Sequence, residues 1–157
     1  MKNLFLIFFC LNSILSISAQ VPYVINDPNN YSIGVGTGAL TNNSGGENTA
    51  VGQYAMYSNT SGYYNNATGY GALYSNTTGA YNSAFGSYAL YFNTTGSYNS
   101  SLGLGALYLN TTGVQNNAFG SNSLYSNTTG QGNIAIGYYA MFLARLVIIT
   151  MQLGIMR

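Results

Sequence analysis

A 17-residue unit repeats through most of this chain and limits the possible folds more than any other feature. The period is kept without insertion or deletion over residues 48–141. A strict period of this kind is typical of stacked-repeat architectures, and it indicates the fold class before any local propensity is considered. Each copy opens with an asparagine; in chain order these are Asn48, Asn65, Asn82, Asn99, Asn116 and Asn133.

Aligned on the period, the copies form columns of one residue type. Four residues after each opening asparagine stands a glycine, and these residues are called the corner glycines: Gly52, Gly69, Gly86, Gly103, Gly120 and Gly137. Eight residues after it stands a large apolar residue, and these form the core column: Met56, Leu73, Leu90, Leu107, Leu124 and Met141. An aromatic residue follows at the next position: Tyr57, Tyr74, Tyr91, Tyr108, Tyr125 and Phe142.

The unit is too short for two helices and their loops, and it is rich in glycine, β-branched and aromatic residues. Two short strands joined by two glycine-containing corners do fit, and we place the strands near residues 49–51 and 54–57. Stacking such turns predicts an all-β, single-chain parallel β-solenoid of about seven turns over residues 32–142, with a degenerate first turn at residues 32–46. Identical residues then lie above one another, so we expect asparagine side-chain ladders and stacked tyrosine rings.

A second apolar column, three residues after each opening asparagine, is the candidate for an interface. It contains Thr68 and five large apolar residues, called the association stripe: Val51, Phe85, Leu102, Phe119 and Ile136. If the neighbouring alanines point inward, strand alternation turns this column outward, and an exposed apolar row marks an interface. If instead the corner glycine resets the alternation, the column belongs to the core. The sequence leaves both arrangements open.

The composition excludes most catalytic chemistry. Charged residues make up 3% of the 157 residues, histidine is absent, and Cys10 is the single cysteine. Asp27 and Glu47 are the only carboxylates, and both precede the regular array. A metal site, an acid–base pair or a Cys/His nucleophile cannot be assembled from these residues, so we expect a non-enzyme without catalytic, metal or cofactor sites. The net charge of +1 predicts no binding to nucleic acid.

The N-terminal residues predict export. Residues 1–19 combine Lys2 with an apolar stretch and end in small residues, as a signal peptide cleaved near Ala19 does. An uncleaved membrane anchor is the alternative. We therefore expect a secreted or cell-surface protein whose residues 20–31 form a lead-in, either a linker or a first cap.

The repeat columns stop after Phe142, and residues 143–157 form an aberrant tail. One interpretation is an apolar cap or a short anchoring helix. The genetic code offers another: read from the third base of each codon, Met151-Gln152 forces alanine, and the preceding junctions allow Gly-Tyr-Tyr-Asn-Asn. That glycine falls 17 positions after Gly130, so we hypothesise that the tail is the next repeat translated out of frame.

The columns resemble the head repeats of trimeric autotransporter adhesins, which carry Asn-Ser-x-Ala-x-Gly. The matching segments here are residues 48–52, 82–86 and 133–137, and the resemblance covers residues 32–141. The Asn-Thr-Thr-Gly segments resemble a related group of surface and fibre proteins. The resemblance implies a left-handed parallel β-roll that trimerises and takes part in surface attachment.

Three functions remain open at this point. The first is a secreted or cell-surface structural or adhesive module. It would be a fragment of a longer adhesin-like or fibre protein and a homo-oligomer, trimeric by resemblance, with an unknown surface ligand. Its contact with a membrane would run only through other parts of that longer protein. The second is an ice- or small-ligand-binding solenoid that uses rows of threonine hydroxyls, such as Thr77, Thr94, Thr111 and Thr128. The third is a fragment with no function of its own.

Overall fold

The structure, a computed structural model, describes residues 24–27 and 30–142. The predicted signal peptide and the tail at residues 143–157 lie outside the described residues. The hypothesis that the tail is an out-of-frame repeat concerns only those residues. All regular structure in the described part is β, without a helix. The strands are β1 (Val24–Asp27), β2 (Ser32–Val35), β3 (Thr49–Val51), β4 (Asn66–Thr68), β5 (Ser83–Phe85), β6 (Ser100–Leu102), β7 (Asn117–Phe119) and β8 (Ile134–Ile136).

The eight strands form one sheet in chain order, β1 to β8. Strands β2 to β8 pair in parallel, and from β3 onward each residue lies beside the residue 17 positions later, as Ala50 lies beside Ala67. Strand β1 pairs antiparallel with β2. The predicted parallel β-solenoid is therefore confirmed. It makes about six turns rather than the predicted seven, because the copies at the two ends are partial.

Each turn carries one strand, so the prediction of a second strand near residues 54–57 is wrong. Tyr54 and Met56 have φ angles of 58° and 51°, in the left-handed region that breaks an extended strand. The same two φ angles recur in every later turn. The stretch still bonds to the next coil, since Met56 N–H donates to the Ala72 carbonyl at 2.9 Å and Ser58 N–H to the Tyr74 carbonyl at 3.0 Å. Coil stacking is thus maintained without strand geometry.

The apolar core is a narrow column along the axis of the solenoid. The core-column residues from Met56 to Leu124 are fully buried, and Met141 in the last turn is partly buried. They pack on alanines from the strands and from the stretch that follows each strand. The small alanine side chains allow the backbone to approach the core column closely: Ala50, Ala55, Ala67, Ala72, Ala84, Ala89, Ala106, Ala118 and Ala135. Each turn contributes too few apolar atoms to bury its own face, so stability depends on the coils above and below.

Candidate association surface

The association stripe lies on the outer face of the parallel sheet. In each strand from β3 to β8 the central residue is buried while the third residue faces solvent, although Thr68 is only partly exposed. Of the two arrangements that the sequence left open, the structure therefore shows the outward one. The exposed fractions are 39% for Val51, 39% for Phe85, 53% for Leu102, 40% for Phe119 and 73% for Ile136.

The register makes the stripe continuous. Phe85 is the direct partner of Leu102, and Leu102 is the direct partner of Phe119. With strands about 4.8 Å apart, the row from Val51 to Ile136 is about 24 Å long. A column of mostly polar residues borders it on the same face: Thr49, Asn66, Ser83, Ser100, Asn117 and, in the last strand, Ile134. An apolar row with a polar margin is the arrangement found at protein interfaces.

Two ladders of buried asparagines hold the coils in register behind this face. In the first ladder, formed by the opening asparagines, Asn82 donates its backbone N–H and its Nδ2 to Asn65 Oδ1 at 2.9 and 3.1 Å. Its Nδ2 also donates to the Gly96 carbonyl at 2.9 Å. The two bonds to the preceding asparagine recur from Asn65 to Asn133, and the bond to a glycine carbonyl recurs from Asn48 to Asn116. The predicted amide ladder is confirmed, and it ties each coil to the one before it.

The second ladder is formed by the asparagines of the Asn-Thr-Thr-Gly and Asn-Thr-Ser-Gly segments. Asn93 Nδ2 donates to Asn76 Oδ1 at 2.8 Å and to the Gly96 carbonyl at 2.9 Å. All members are fully buried: Asn59, Asn76, Asn93, Asn110 and Asn127. Burial of an amide is stable only when its hydrogen bonds are made. Among the described residues, only the last members of the two ladders, Asn127 and Asn133, have a buried side-chain oxygen without a hydrogen-bond partner.

The corner glycines stack backbone on backbone. Their φ angles lie between 121° and 136°, a region that residues with a Cβ rarely adopt. A Cβ added to Gly86 would lie 2.5 Å from the carbonyl oxygen of Gly103 in the next coil. Gly137, in the last described turn, has no atom of the described residues within 4 Å of the same position. The predicted corner role is confirmed, and close coil contact adds a second reason for glycine.

Aromatic rings form two ladders along the rod. In the predicted column, rings from Tyr57 to Phe142 stack with centroids 4.9–5.5 Å apart and interplanar angles of 9–21°. A second stack joins Tyr64, Tyr81 and Tyr98, with centroids 5.1 and 4.9 Å apart. The sequence reasoning did not single out this stack, although the 17-residue spacing of its members was a visible signal.

Burial raises the pKa of the Tyr91 and Tyr108 hydroxyls above the ordinary value of 10.0, and the neighbouring tyrosines of the stack raise it further. For Tyr91, the neighbours that raise the pKa most are Tyr74 and then Tyr108. The cause is physical crowding, because a phenolate in the stack would be poorly hydrated and close to other phenolates. These two rings are therefore uncharged at neutral pH.

Two surface depressions accompany these columns. A cavity of about 230 Å³ lies beside Gly105 and Asn122, which belong to a column whose other members are Tyr54, Gly71, Tyr88 and Tyr139. Its walls are Tyr88, Leu104, Gly105, Tyr108, Asn122 and Tyr125. A cavity of about 400 Å³ on another face is lined by Ser75, Phe92, Thr94, Leu109, Thr111 and Thr128. No charged side chain lines either one.

The threonine row is bound into the coil stack. Thr77 Oγ1 donates to the Thr94 carbonyl, and Thr94 Oγ1 donates to the Thr111 carbonyl, both at 3.0 Å. Thr60 and Thr111 make the same bond. The next column is exposed: Ser61, Thr78, Thr95, Thr112 and Thr129. The row that contains Ser61 and Thr78 is thus exposed to solvent. The row that contains Thr60 and Thr77 donates its hydroxyl protons to backbone carbonyls of the next coil.

Within residues 24–27 and 30–142 there is no group of three or more His, Cys, Asp or Glu side chains that could hold a metal ion. The same residues contain no helix long and apolar enough to cross a membrane. Comparison of the chain with protein-family models, curated proteins and solved structures found no match.

Proposed function

We propose that this chain is a non-catalytic structural or adhesive module of a secreted or cell-surface protein, and that it associates with copies of itself through the association stripe. The observation that carries the proposal is the row of exposed apolar side chains on β3 to β8. The resemblance to adhesin head repeats adds a left-handed roll, a trimer and a longer parent protein to the proposal.

The stripe by itself is smaller than a stable interface. A row about 24 Å long and roughly 10 Å wide covers about 240 Å², whereas a stable interface buries about 800 Å² on each partner. Association must therefore also bury the columns on both sides of the stripe. In a trimer the stripe lies near the shared axis and each flank meets a different neighbour, so the buried area on each rod increases.

The proposal is tested by the size of the protein in solution. Sedimentation analysis of the wild type is expected to show an oligomer, and the Phe85→Ser variant is expected to shift the population toward monomer. Phe92→Ser is a matched control, since Phe92 has the same residue type and a 40% exposed side chain on a different face. Phe119→Ser repeats the test at a second stripe position.

Circular dichroism of each variant should remain that of the wild type, because the three side chains lie outside the core. A stable, folded monomer at all concentrations of the wild type would contradict the proposal. So would an equal loss of assembly in Phe85→Ser and Phe92→Ser.

The alternative, an ice- or small-ligand-binding solenoid, has weaker support. Ice binding by threonines needs a flat array of free hydroxyls, and the Thr77 row donates its hydroxyl protons to the next coil. Only the single row that includes Thr78 and Thr95 is exposed. An ice-growth assay that shows altered crystal shape, and loses the effect in Thr95→Val, would favour this alternative over the adhesive module.

A further inference from the structure

The two ends of the rod differ in how the first asparagine ladder is closed. At the N-terminal end, Ser32 stands where later coils have asparagine. The backbone N–H of Asn48 donates to Ser32 Oγ at 3.1 Å, and that hydroxyl donates to the Gly45 carbonyl at 3.2 Å. Strand β1 also pairs with the outer edge of β2. The first coil therefore leaves neither this ladder nor its sheet edge open.

The second ladder is closed at the same end by Asn43. Its Oδ1 accepts from Asn59 Nδ2 at 2.6 Å and from Asn48 Nδ2 at 3.2 Å. Its own Nδ2 donates to the Gly45 carbonyl at 2.8 Å. Asn43 thus donates its side-chain N–H within its own coil, and the ladder ends there with the oxygen and the amide nitrogen of Asn43 both hydrogen-bonded.

At the C-terminal end both ladders stop at a buried oxygen. Asn116 Oδ1 accepts the backbone N–H and Nδ2 of Asn133 at 3.0 and 2.9 Å, and Asn110 Oδ1 accepts Asn127 Nδ2 at 2.9 Å. Asn133 Oδ1 and Asn127 Oδ1 have no such donor among the described residues, although both side chains are fully buried. A buried acceptor without a partner is unfavourable, so this face is built to receive N–H donors.

The ladders have a direction that selects the partner. The amide-to-amide bonds of both ladders run one way, since each interior asparagine donates to the asparagine 17 residues before it and accepts from the one 17 residues after it. In the first ladder Nδ2 also donates to the glycine carbonyl 14 residues later, as Asn82 does to Gly96. The C-terminal face of a second copy would place acceptors against acceptors, and the N-terminal face of a second copy is closed by Ser32 and β1. Only a coil with asparagines 17 residues after Asn127 and Asn133 offers the missing donors in register.

We propose that the face formed by residues 133–142 binds one further coil of the same repeat, with asparagine at the ladder positions, and that the rod extends only from this end. Gly137 supports this interpretation, because the Cβ position that is blocked by the next coil at Gly120 is open there. The alternative reading frame of the tail allows serine 17 positions after Asn127, and it allows an asparagine three residues after the glycine that lies 17 positions beyond Gly130. That asparagine falls 17 positions after Asn133. The inference concerns the fold and does not depend on the adhesive role.

The test replaces residues 143–157 of the full chain with a second copy of residues 75–91, which continues the columns after Phe142. The matched control carries the same copy with the asparagines derived from Asn76 and Asn82 changed to alanine. Amide hydrogen exchange is measured for residues 133–142 in the natural chain and in both variants. Exchange in residues 82–98 shows in each case that the interior coils are folded.

In the variant with both asparagines, we expect exchange at residues 133–142 to slow by about tenfold or more relative to the natural chain. The alanine control is expected to give little of this protection. Gly137→Ala provides a second readout. It should carry only the strain of its φ angle in the natural chain and should lower the unfolding temperature further in the extended chain, where the added methyl group meets the new coil.

Equal protection by the asparagine and alanine coils would overturn the proposed role of the ladder oxygens. No protection by either coil would show that the face does not bind a coil. Protection of residues 133–142 that rises with the concentration of the natural chain would identify a second copy as the occupant, and the proposal would then be wrong.

Discussion

Replacement of a corner glycine by alanine tests how closely the coils approach one another. Gly86 lies in an interior coil with φ at 133°, and a Cβ there would lie 2.5 Å from the Gly103 carbonyl oxygen. Ordinary contact begins at 3.4 Å, so the coils would have to move apart by about 0.9 Å. The opposing atoms are backbone and cannot swing aside as a flexible side chain would. We therefore expect Gly86→Ala to be strongly destabilising.

The expected loss of stability has two parts. An alanine at this φ carries strain of about 1–3 kcal/mol in any corner. Crowding against the next coil adds about 1–3 kcal/mol, the usual range for overpacking in a close-packed interior. Gly86→Ala is thus expected to lower the free energy of unfolding by about 2–6 kcal/mol. Gly137→Ala has similar strain, with φ at 121°, but no atom of the described residues within 4 Å, so it should cost only about 1–3 kcal/mol.

The assay is urea unfolding followed by circular dichroism. A stability difference of about 1–3 kcal/mol between the two variants corresponds to midpoints separated by on the order of 1 M urea. Because Gly137 lies near the end of the array, Gly120→Ala serves as the positional control. It is one coil away from Gly137, and its Cβ would meet the Gly137 backbone. Gly120→Ala should therefore behave like Gly86→Ala.

Two results would refute this reasoning. Equal losses in Gly86→Ala and Gly137→Ala would mean that the φ angle alone requires glycine and that the coils tolerate a methyl group between them. A loss in Gly120→Ala as small as that in Gly137→Ala would mean that distance from the end of the rod controls the effect.

Three further predictions concern the interior and the ring stack. Asn82→Ala leaves buried donors in the next coil without their acceptor and should cost about 2–4 kcal/mol of unfolding free energy, whereas Asn133→Ala, at the open end, should cost less in the same urea assay. Leu90→Ala should cost about 2–5 kcal/mol and Leu90→Met less than about 1.5 kcal/mol, as measured by thermal unfolding; equal losses would show that this position is not packed core. Because the pKa values of Tyr91 and Tyr108 are raised in the folded state, the folded protein retains these protons more strongly than the unfolded chain. Stability should be unaffected by them below about pH 10 and fall as the pH rises through their folded pKa values; the loss should be smaller in Tyr91→Phe, and an identical pH profile in that variant would contradict the assignment.

The repeat period predicted much of this fold because a strict period places identical residues beside one another in successive coils. The parallel solenoid, the buried core column, the asparagine ladder and the stacked rings all follow from that alignment. None of them required the backbone path within a single turn to be known. The residues that face each other between coils can be read from the sequence when every coil has the same length.

The backbone path within a single turn could not be predicted from the sequence. A strand was predicted near residues 54–57 because tyrosine and other large residues favour extended structure. The structure instead places Tyr54 and Met56 in the left-handed region, a conformation that neither residue type signals by itself. Each such residue is strained, and the contacts of the surrounding coils hold it there. The strain is a property of the assembled stack and leaves no mark in the local sequence.

The sequence alone determined the period, the composition of each column and the scarcity of charge, and the period specifies a parallel stack. Only the tertiary structure decided which face each column occupies. Strand alternation allowed the association stripe to lie inside or outside, and Phe85 lies outside because Ala84 fills the narrow core. The tertiary structure also made the two ends unequal, since hydrogen bonds of an amide ladder run in one direction and only the first coil carries residues that close it.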